Sequence, residues 1–325
     1  MKTLVTRQPT TYKRLTIGLV LLLLASVALA YYCLPQHFRT PLLQLNRATA
    51  GLSAHSLESS GHTIHYLDGG KGEALVLLHG IFAEKDHWVD FARPLTSHHR
   101  VLVPDLPGFG ESTRLPGKDY SYAEQVEYLK NFLDNLGLQR VHLGGSSMGG
   151  TIAALFAIRY PSRVASVGLI GAPHGLHTPL RSEMDPMVDA GQSPLIVGQA
   201  DEFEPMLDFV FAQRPFLPYP ILHAAKADAL RNAASNVRIW NSQRKDRYLL
   251  DAHIGELKQP TLVLWGQQDR LFDVSGAASL RARLSHAQVQ VLPDVGHMPM
   301  METPKLSAEL YAQFVEAVVP TQLNR

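Results

Sequence analysis

Gly145-Ser146-Ser147-Met148-Gly149 follows the apolar run Val141 to Gly144 and precedes the helix-like stretch Thr151-Ile152-Ala153-Ala154-Leu155-Phe156-Ala157. A serine between two glycines at a strand-to-helix turn is the G-x-S-x-G nucleophile elbow, where a tight backbone pushes a hydroxyl out above a parallel sheet. Gly145 and Gly149 then have a steric reason to lack side chains, because the turn strains the serine's backbone and brings neighbouring backbone close. Gly150 adds room. Serine and glycine are common, and five residues of this pattern also mark ordinary loops, so the decision rests on two segments more than a hundred residues further along the chain.

Thr261-Leu262-Val263-Leu264-Trp265-Gly266 reads as a buried strand and leads directly into Gln267-Gln268-Asp269. Val289-Gln290-Val291-Leu292-Pro293 reads as another, followed by Asp294-Val295-Gly296-His297. Each strand delivers a triad-type residue just past its carboxyl end. The order Ser147, Asp269, His297 is nucleophile, acid, base, which differs from the order in chymotrypsin-type and subtilisin-type enzymes. A serine hydroxyl is a poor nucleophile at neutral pH and needs a base within hydrogen-bond reach, a task that suits imidazole. His297 is the expected base and Asp269 the acid that fixes its tautomer. Fifteen histidines occur in the chain; His297 stands out because it follows a strand and precedes a helix whose expected N-cap is Thr303. Asp273 lies further past the strand end, and Asp294 sits only three residues from His297 on one loop, so neither displaces Asp269.

Four segments resemble the α/β-hydrolase superfamily: His79-Gly80-Ile81-Phe82, Asp105-Leu106-Pro107-Gly108-Phe109-Gly110-Glu111-Ser112, the elbow, and Trp265-Gly266-Gln267-Gln268-Asp269 with Gly296-His297. Within it the chain is similar to membrane-anchored monoacylglycerol lipases and related bacterial lipases, through Lys85-Asp86-His87-Trp88, Asp273-Val274-Ser275-Gly276 and a hydrophobic N-terminus. The resemblance implies an α/β-hydrolase fold and a serine carboxylic ester hydrolase acting on a lipid or other hydrophobic ester. It also implies an oxyanion hole made by the backbone N–H groups of Ile81 and Met148. By the same resemblance His79 belongs to the oxyanion loop in a structural role, and Asp105 braces the Pro107-Gly108 loop. Two alternatives share the fold: a carbon-carbon bond hydrolase of the ring-cleavage type, where Trp usually follows the base histidine but Met298 stands here, and a non-catalytic ligand-binding homologue. Ser147 at the elbow argues against haloalkane dehalogenases and epoxide hydrolases, which place Asp there.

Working outward, Thr63 to Asp68, Ala74 to His79, Arg100 to Asp105, Val141 to Gly144, Val167 to Ala172, Thr261 to Gly266 and Gln288 to Pro293 are strand-like, and helix-like stretches lie between most of them. Ser121 with Glu124 forms a capping box for a helix that stops at Gly137, and Met148 to Tyr160 forms a second, broken at Pro161. This alternation predicts a mostly parallel sheet with helices on both faces. Residues 56–173 are expected as the first part of the core, 174–250 as an inserted helical lid, and 251–325 as the second part. Phe203, Met206, Leu207, Val210 and Phe211 recur in the insertion at helical spacing, which either glues it to the core or lines an apolar acyl pocket.

The chain has 325 residues, 46% of them hydrophobic, and a formal net charge of +1, so one large core with an insertion fits and composition alone excludes little. No basic cluster interleaved with aromatics supports nucleic-acid binding, and no closely spaced Cys/His set resembles a metal site. No cofactor is implied. Cys33 is the single cysteine and forms no internal disulfide. Lys2, Arg7, Lys13 and Arg14 precede an uncharged apolar run that reaches Leu34. Residues 1–34 are therefore expected as a membrane anchor with the catalytic part extracytoplasmic, on the periplasmic side of a bacterial cell; cleavage near Ala30 to give a secreted protein is the rival reading. Residues 35–55 read as a linker.

Overall fold

Residues 10–323 are described by the computed structural model. In chain order the elements are α1 (Thr10–Cys33), α2 (Gln36–Thr49), β1 (Leu52–Ser59), β2 (His62–Gly69), β3 (Ala74–Leu78), α3 (Val89–Ala92), β4 (Arg100–Pro104), α4 (Tyr122–Asn135), β5 (Val141–Gly145), α5 (Met148–Arg159) and β6 (Val164–Ile170). An insertion follows with α6 (Met184–Asp189), α7 (Phe203–Val210), α8 (Tyr219–Arg244) and α9 (Leu249–His253). The chain then completes β7 (Thr261–Gly266), α10 (Ser275–Arg283), β8 (Ala287–Leu292), α11 (Pro299–Glu302) and α12 (Pro304–Leu323).

The eight strands form one sheet in the order β1-β2-β4-β3-β5-β6-β7-β8. β1, β2 and β4 pair antiparallel at one edge, and every other pairing is parallel. The pleat sends alternate residues to opposite faces. Along β3, Val76 and Leu78 enter the core beneath α4 and α5, while Leu75 and Leu77 enter the core beneath α3 and α12. Along β7, Val263 and Trp265 go one way and Leu262 and Leu264 the other. Continuous apolar runs are what a parallel strand covered on both faces requires, and that is how they read in the sequence.

Local chemistry sets the helix ends. The Ser121 hydroxyl accepts from the Glu124 N–H at 3.5 Å at the start of α4, and Gly137 takes φ +67° just past its end. α5 is buried almost all round, as its apolar composition demands, and gives way to a 3-10 turn at Pro161. Thr303 directly precedes α12, whose first residue is Pro304.

Two segments differ from the sequence reading. Residues 35–55 contain a helix and the beginning of a strand in place of a linker. α2 lies against α8 and β1 and is tied down by Arg47, whose guanidinium donates to both carboxylate oxygens of Asp86 at 2.6 Å. Phe38, Leu42 and Leu43 do recur at helical spacing, but the helix is of low hydropathy with Pro41 inside it, so it reads as a linker until the tertiary ion pair is seen. β1 leaves no strand pattern in the sequence because only its two end residues are buried; it is held by full antiparallel pairing to β2 instead of by an apolar face.

α1 is exposed from Tyr12 to Leu29 and half-buried at Ala30 and Tyr31, and Tyr12–Cys33 is long and apolar enough to cross a membrane. Lys2 and Arg7 of the expected positive flank lie outside the described residues. At its far end Tyr32 packs on Tyr219, the first residue of α8, with ring centroids 5.2 Å apart.

Candidate active site

Ser147 sits between β5 and α5 with φ +52° and ψ −116°, a conformation that costs a non-glycine residue of order 1–3 kcal/mol and persists only when its surroundings over-determine it. Its surroundings do so. A Cβ on Gly145 would lie 2.3 Å from the Gly149 carbonyl oxygen, and one on Gly149 would lie 2.2 Å from the Leu78 carbonyl oxygen. The Ser146 N–H donates to Leu78 O at 3.0 Å and the Gly149 N–H to Ser146 O at 2.8 Å, closing the turn. Met148 opens α5, where an N–H has no carbonyl a turn back within the helix to accept it.

The loop after β3 lies beside the elbow: a Cβ on Gly80 would stand 3.4 Å from that of Ser147. Here Ala83 N–H donates to Gly80 O at 3.3 Å, and Phe82 takes φ +59°, a second strained non-glycine residue next to Ile81. His79 fixes the loop. Its Nε2 accepts from the Leu106 N–H at 3.0 Å, so Nδ1 carries the proton and donates to Gly80 O at 2.7 Å. Burial keeps this imidazole below its ordinary pKa, which suits a neutral structural tautomer.

Asp105 takes two partners beneath the same loop. It accepts from the Lys85 N–H and ammonium, both at 2.7 Å, and from the Glu111 N–H at 2.9 Å. Lys85 also reaches Glu111 at 2.6 Å. Burial acts to lower the Lys85 pKa, but Asp105 and Asp86 outweigh it and hold the value above the ordinary one. The neighbouring Glu84 is pushed up to about 8 by burial and by Asp105 and Asp86.

Asp269 and His297 meet across the ends of β7 and β8. His297 Nδ1 lies 2.8 Å from Asp269 Oδ2, while Asp269 Oδ1 accepts from the N–H groups of Leu271 at 2.9 Å and Phe272 at 3.0 Å. The carboxylate side chain is fully buried and its accepting capacity is used to aim it. Nδ1 therefore donates and Nε2 is the ring nitrogen left for chemistry. Asp294, the nearer acidic residue in sequence, takes φ +57° and accepts from the Gln268 side chain at 3.1 Å instead. Asp273 accepts from the Ser275 N–H at 2.9 Å near the start of α10.

Ser147 and His297 line one cavity of about 440 Å³, along with Ile81, Phe203, Met206 and Met298. Ser147, Ile81 and Leu195 also line a second cavity of about 310 Å³ that contains Met148. Ser147 and Ile81 line both hollows, His297 the first and Met148 the second, while Asp269 stands behind His297 and reaches neither.

Residues 73–304 match the family described as the alpha/beta hydrolase fold. The chain belongs to the α/β-hydrolase family. It is 31% identical over 278 residues to Lipase 1 of Psychrobacter immobilis, covering 84% of this chain and 87% of that one. It is 30% identical to monoacylglycerol lipase abhd6-B of Xenopus laevis, covering 79% of each chain. Among solved structures it is similar to a membrane phospholipase A described as a bacterial virulence factor, at 39% identity and a TM-score of 0.85, covering 94% of this chain and 99% of that one.

Sequence reasoning passed over one residue that this α/β-hydrolase builds into the loop of His297. The Glu302 carboxylate accepts from four backbone N–H groups: Ala212, Gln213 and Gly296 at 3.0 Å each, and Met298 at 3.2 Å. Two of these flank His297 and two belong to the insertion after α7. His297 N–H itself donates to Val210 O at 3.0 Å. The only local signal is an acidic residue five positions after the histidine, which by itself reads as a solvated helix position.

Proposed function

We propose that this chain is a membrane-anchored serine carboxylic ester hydrolase of the monoacylglycerol lipase type. Ser147 attacks the ester carbonyl while His297 takes its proton; His297 then returns a proton to the leaving alcohol and activates the water that frees the acyl-enzyme. Asp269 holds the imidazole in the Nδ1–H tautomer and stabilises the imidazolium. The N–H groups of Ile81 and Met148 hold the oxyanion of each tetrahedral intermediate, where losing one donor typically costs about 10²- to 10³-fold in turnover.

The observation that carries this reading is the strained Ser147 sharing a cavity with a His297 already hydrogen-bonded to Asp269. Phe203, Met206 and Leu207 of α7 line one side of that cavity, which favours a hydrophobic acyl chain, and residues of α8 line another, which gives residues 174–250 the role of a lid. α1 is the anchor, with the catalytic part on the extracytoplasmic face, and the names of its relatives, a membrane phospholipase A and a monoacylglycerol lipase, favour membrane lipid esters.

The test is an assay of purified full-length protein in detergent against monoacylglycerols, p-nitrophenyl esters of graded acyl length, a phospholipid and a ring-cleavage dienoate. Ser147→Ala is the control. We expect ester hydrolysis that Ser147→Ala abolishes without loss of folding. Substantial turnover in that variant removes the serine mechanism, and turnover of the dienoate alone replaces the ester reading by carbon-carbon bond hydrolysis.

A further inference from the structure

An ester bound at Ser147 has two arms, and two cavities meet there. Both mix apolar and polar lining: the larger sets α7, Met298 and Met301 beside Glu84, Glu111, Arg114 and Asn236. The smaller sets Leu176, Val188 and Trp240 beside His174, Thr178, Gln243 and Arg244. What assigns the smaller to the alcohol is the hydrogen-bond donor that it holds beside Ser147.

His174 is a polar group of that second cavity tied directly to the elbow. Its N–H donates to Ser147 O at 3.2 Å, and its ring is clamped between Tyr122, stacked at 5.7 Å, and the edge of Phe272 at 5.8 Å. Phe272 in turn packs on His297 with centroids 5.4 Å apart. The Tyr122 hydroxyl lies 2.6 Å from His174 Nδ1. Burial holds the phenol proton in place, and the ring nitrogen is the acceptor within its reach. Tyr122 therefore donates to Nδ1, so the proton of a neutral His174 sits on Nε2, which has no protein partner among the described residues. Neutrality is secured by burial first, then by Arg247 and His297, which together push His174 down to about 4.

From this juxtaposition we infer that His174 is a specificity-determining residue: its Nε2–H donates a hydrogen bond to an oxygen of the leaving alcohol, selecting esters of a polyol such as glycerol over esters of a simple alkanol. A fixed donor in a partly dry pocket discriminates by the alcohol's hydroxyl, because an alkyl group in the same place leaves the N–H unpaired. A neutral ring also avoids a second positive charge beside the imidazolium that forms on His297.

The inference rests on the ester-hydrolase reading, and its test separates the two. The full-length enzyme is assayed with 1-monoacylglycerol and with the ethyl ester of the same acid, and the ratio of the two kcat/KM values is taken, because a ratio cancels any difference in the fraction of folded enzyme. His174→Phe should lower the monoacylglycerol-to-ethyl-ester ratio about five- to tenfold, the value of one hydrogen bond to a neutral oxygen. His174→Gln, whose amide N–H reaches about as far as Nε2, should restore most of it. An unchanged ratio in His174→Phe overturns the inference while leaving the esterase intact, and an equal fall in both variants overturns it in favour of pocket shape. Loss of all ester hydrolysis from the unmodified enzyme would instead sink the parent reading.

Discussion

Removing the Glu302 carboxylate should uncouple the base from its support. Of its four backbone donors, the Gln213 N–H belongs to an exposed residue and water can replace the lost acceptor; Ala212, Gly296 and Met298 are half-buried or buried. A hydrogen bond to a charged group contributes roughly 1.5–3 kcal/mol, and a stranded buried donor costs about 1–3 kcal/mol. Because Ala212, Gly296 and Met298 share one carboxylate and Glu302 is itself half-buried, the sum is discounted to about 3–5 kcal/mol for Glu302→Ala. Glu302→Gln keeps a carbonyl oxygen for the three donors to Oε2 but turns an NH₂ toward Met298, so a loss of roughly 1.5–3 kcal/mol is expected. The effect on activity is separate. Gly296 and Met298 flank His297, and a displacement of about 1 Å at a catalytic group can cost on the order of 10²-fold. Thermal unfolding gives the stability change, and single-turnover hydrolysis of a p-nitrophenyl ester at saturating enzyme gives the chemical step. The expectation is a fall in the acylation rate of about 10²-fold in Glu302→Ala, smaller in Glu302→Gln, on folded protein below the melting transition. If Glu302→Ala melts and acylates like the parent, the carboxylate does not position the loop and His297 is held by other contacts.

Three further outcomes follow from the same geometry. Asp269→Asn should leave the melting temperature near that of the parent but lower kcat by about 10⁴-fold, because an amide favours the wrong imidazole tautomer; steady-state kinetics with circular dichroism checks it. Gly149→Ala places a Cβ 2.2 Å from the Leu78 carbonyl oxygen, whereas a Cβ on Gly255 meets nothing within 4 Å, so the first should lose several kcal/mol and the second should unfold within about 1 kcal/mol of the parent in denaturant. His87 and His174 are both pushed down to about 4 by burial. An unfolded histidine at about 6.5 binds a proton that the folded one refuses, so the stability from each is complete above about 6.5 and is lost as the pH falls toward 4. Melting curves across that window should fall less steeply in His174→Gln than in the parent.

The elbow and the strands around it were legible because they are written in local rules. Gly145 and Gly149 mark a turn whose steric demand follows from backbone geometry alone, and runs such as Leu75 to Leu78 and Leu262 to Trp265 identify strands covered on both faces. The order of Ser147, Asp269 and His297 along the chain narrowed the architecture, since each stands where a strand ends. α2 and β1 were not recognised: the short stripe of α2, around Phe38 and Leu42, is interrupted by Pro41 and completed by the bidentate pair between Arg47 and Asp86, 39 residues apart, and β1 is held by its ladder to β2.

What sequence by itself determined was the list of candidate reacting groups and the parallel scaffold that carries them, since backbone sterics and hydrophobic period are properties of neighbours in the chain. Only the tertiary structure decided how those groups are held. The choice of Asp269 over Asp294 as the partner of His297, the four donors gathered on Glu302, and the Tyr122 hydroxyl set against His174 Nδ1 all join residues separated by a few to many dozens of positions. Hydrogen bonds act over about 3 Å of space with no regard for distance along the chain, so their pairing is settled only when the sheet has brought its carboxyl ends together.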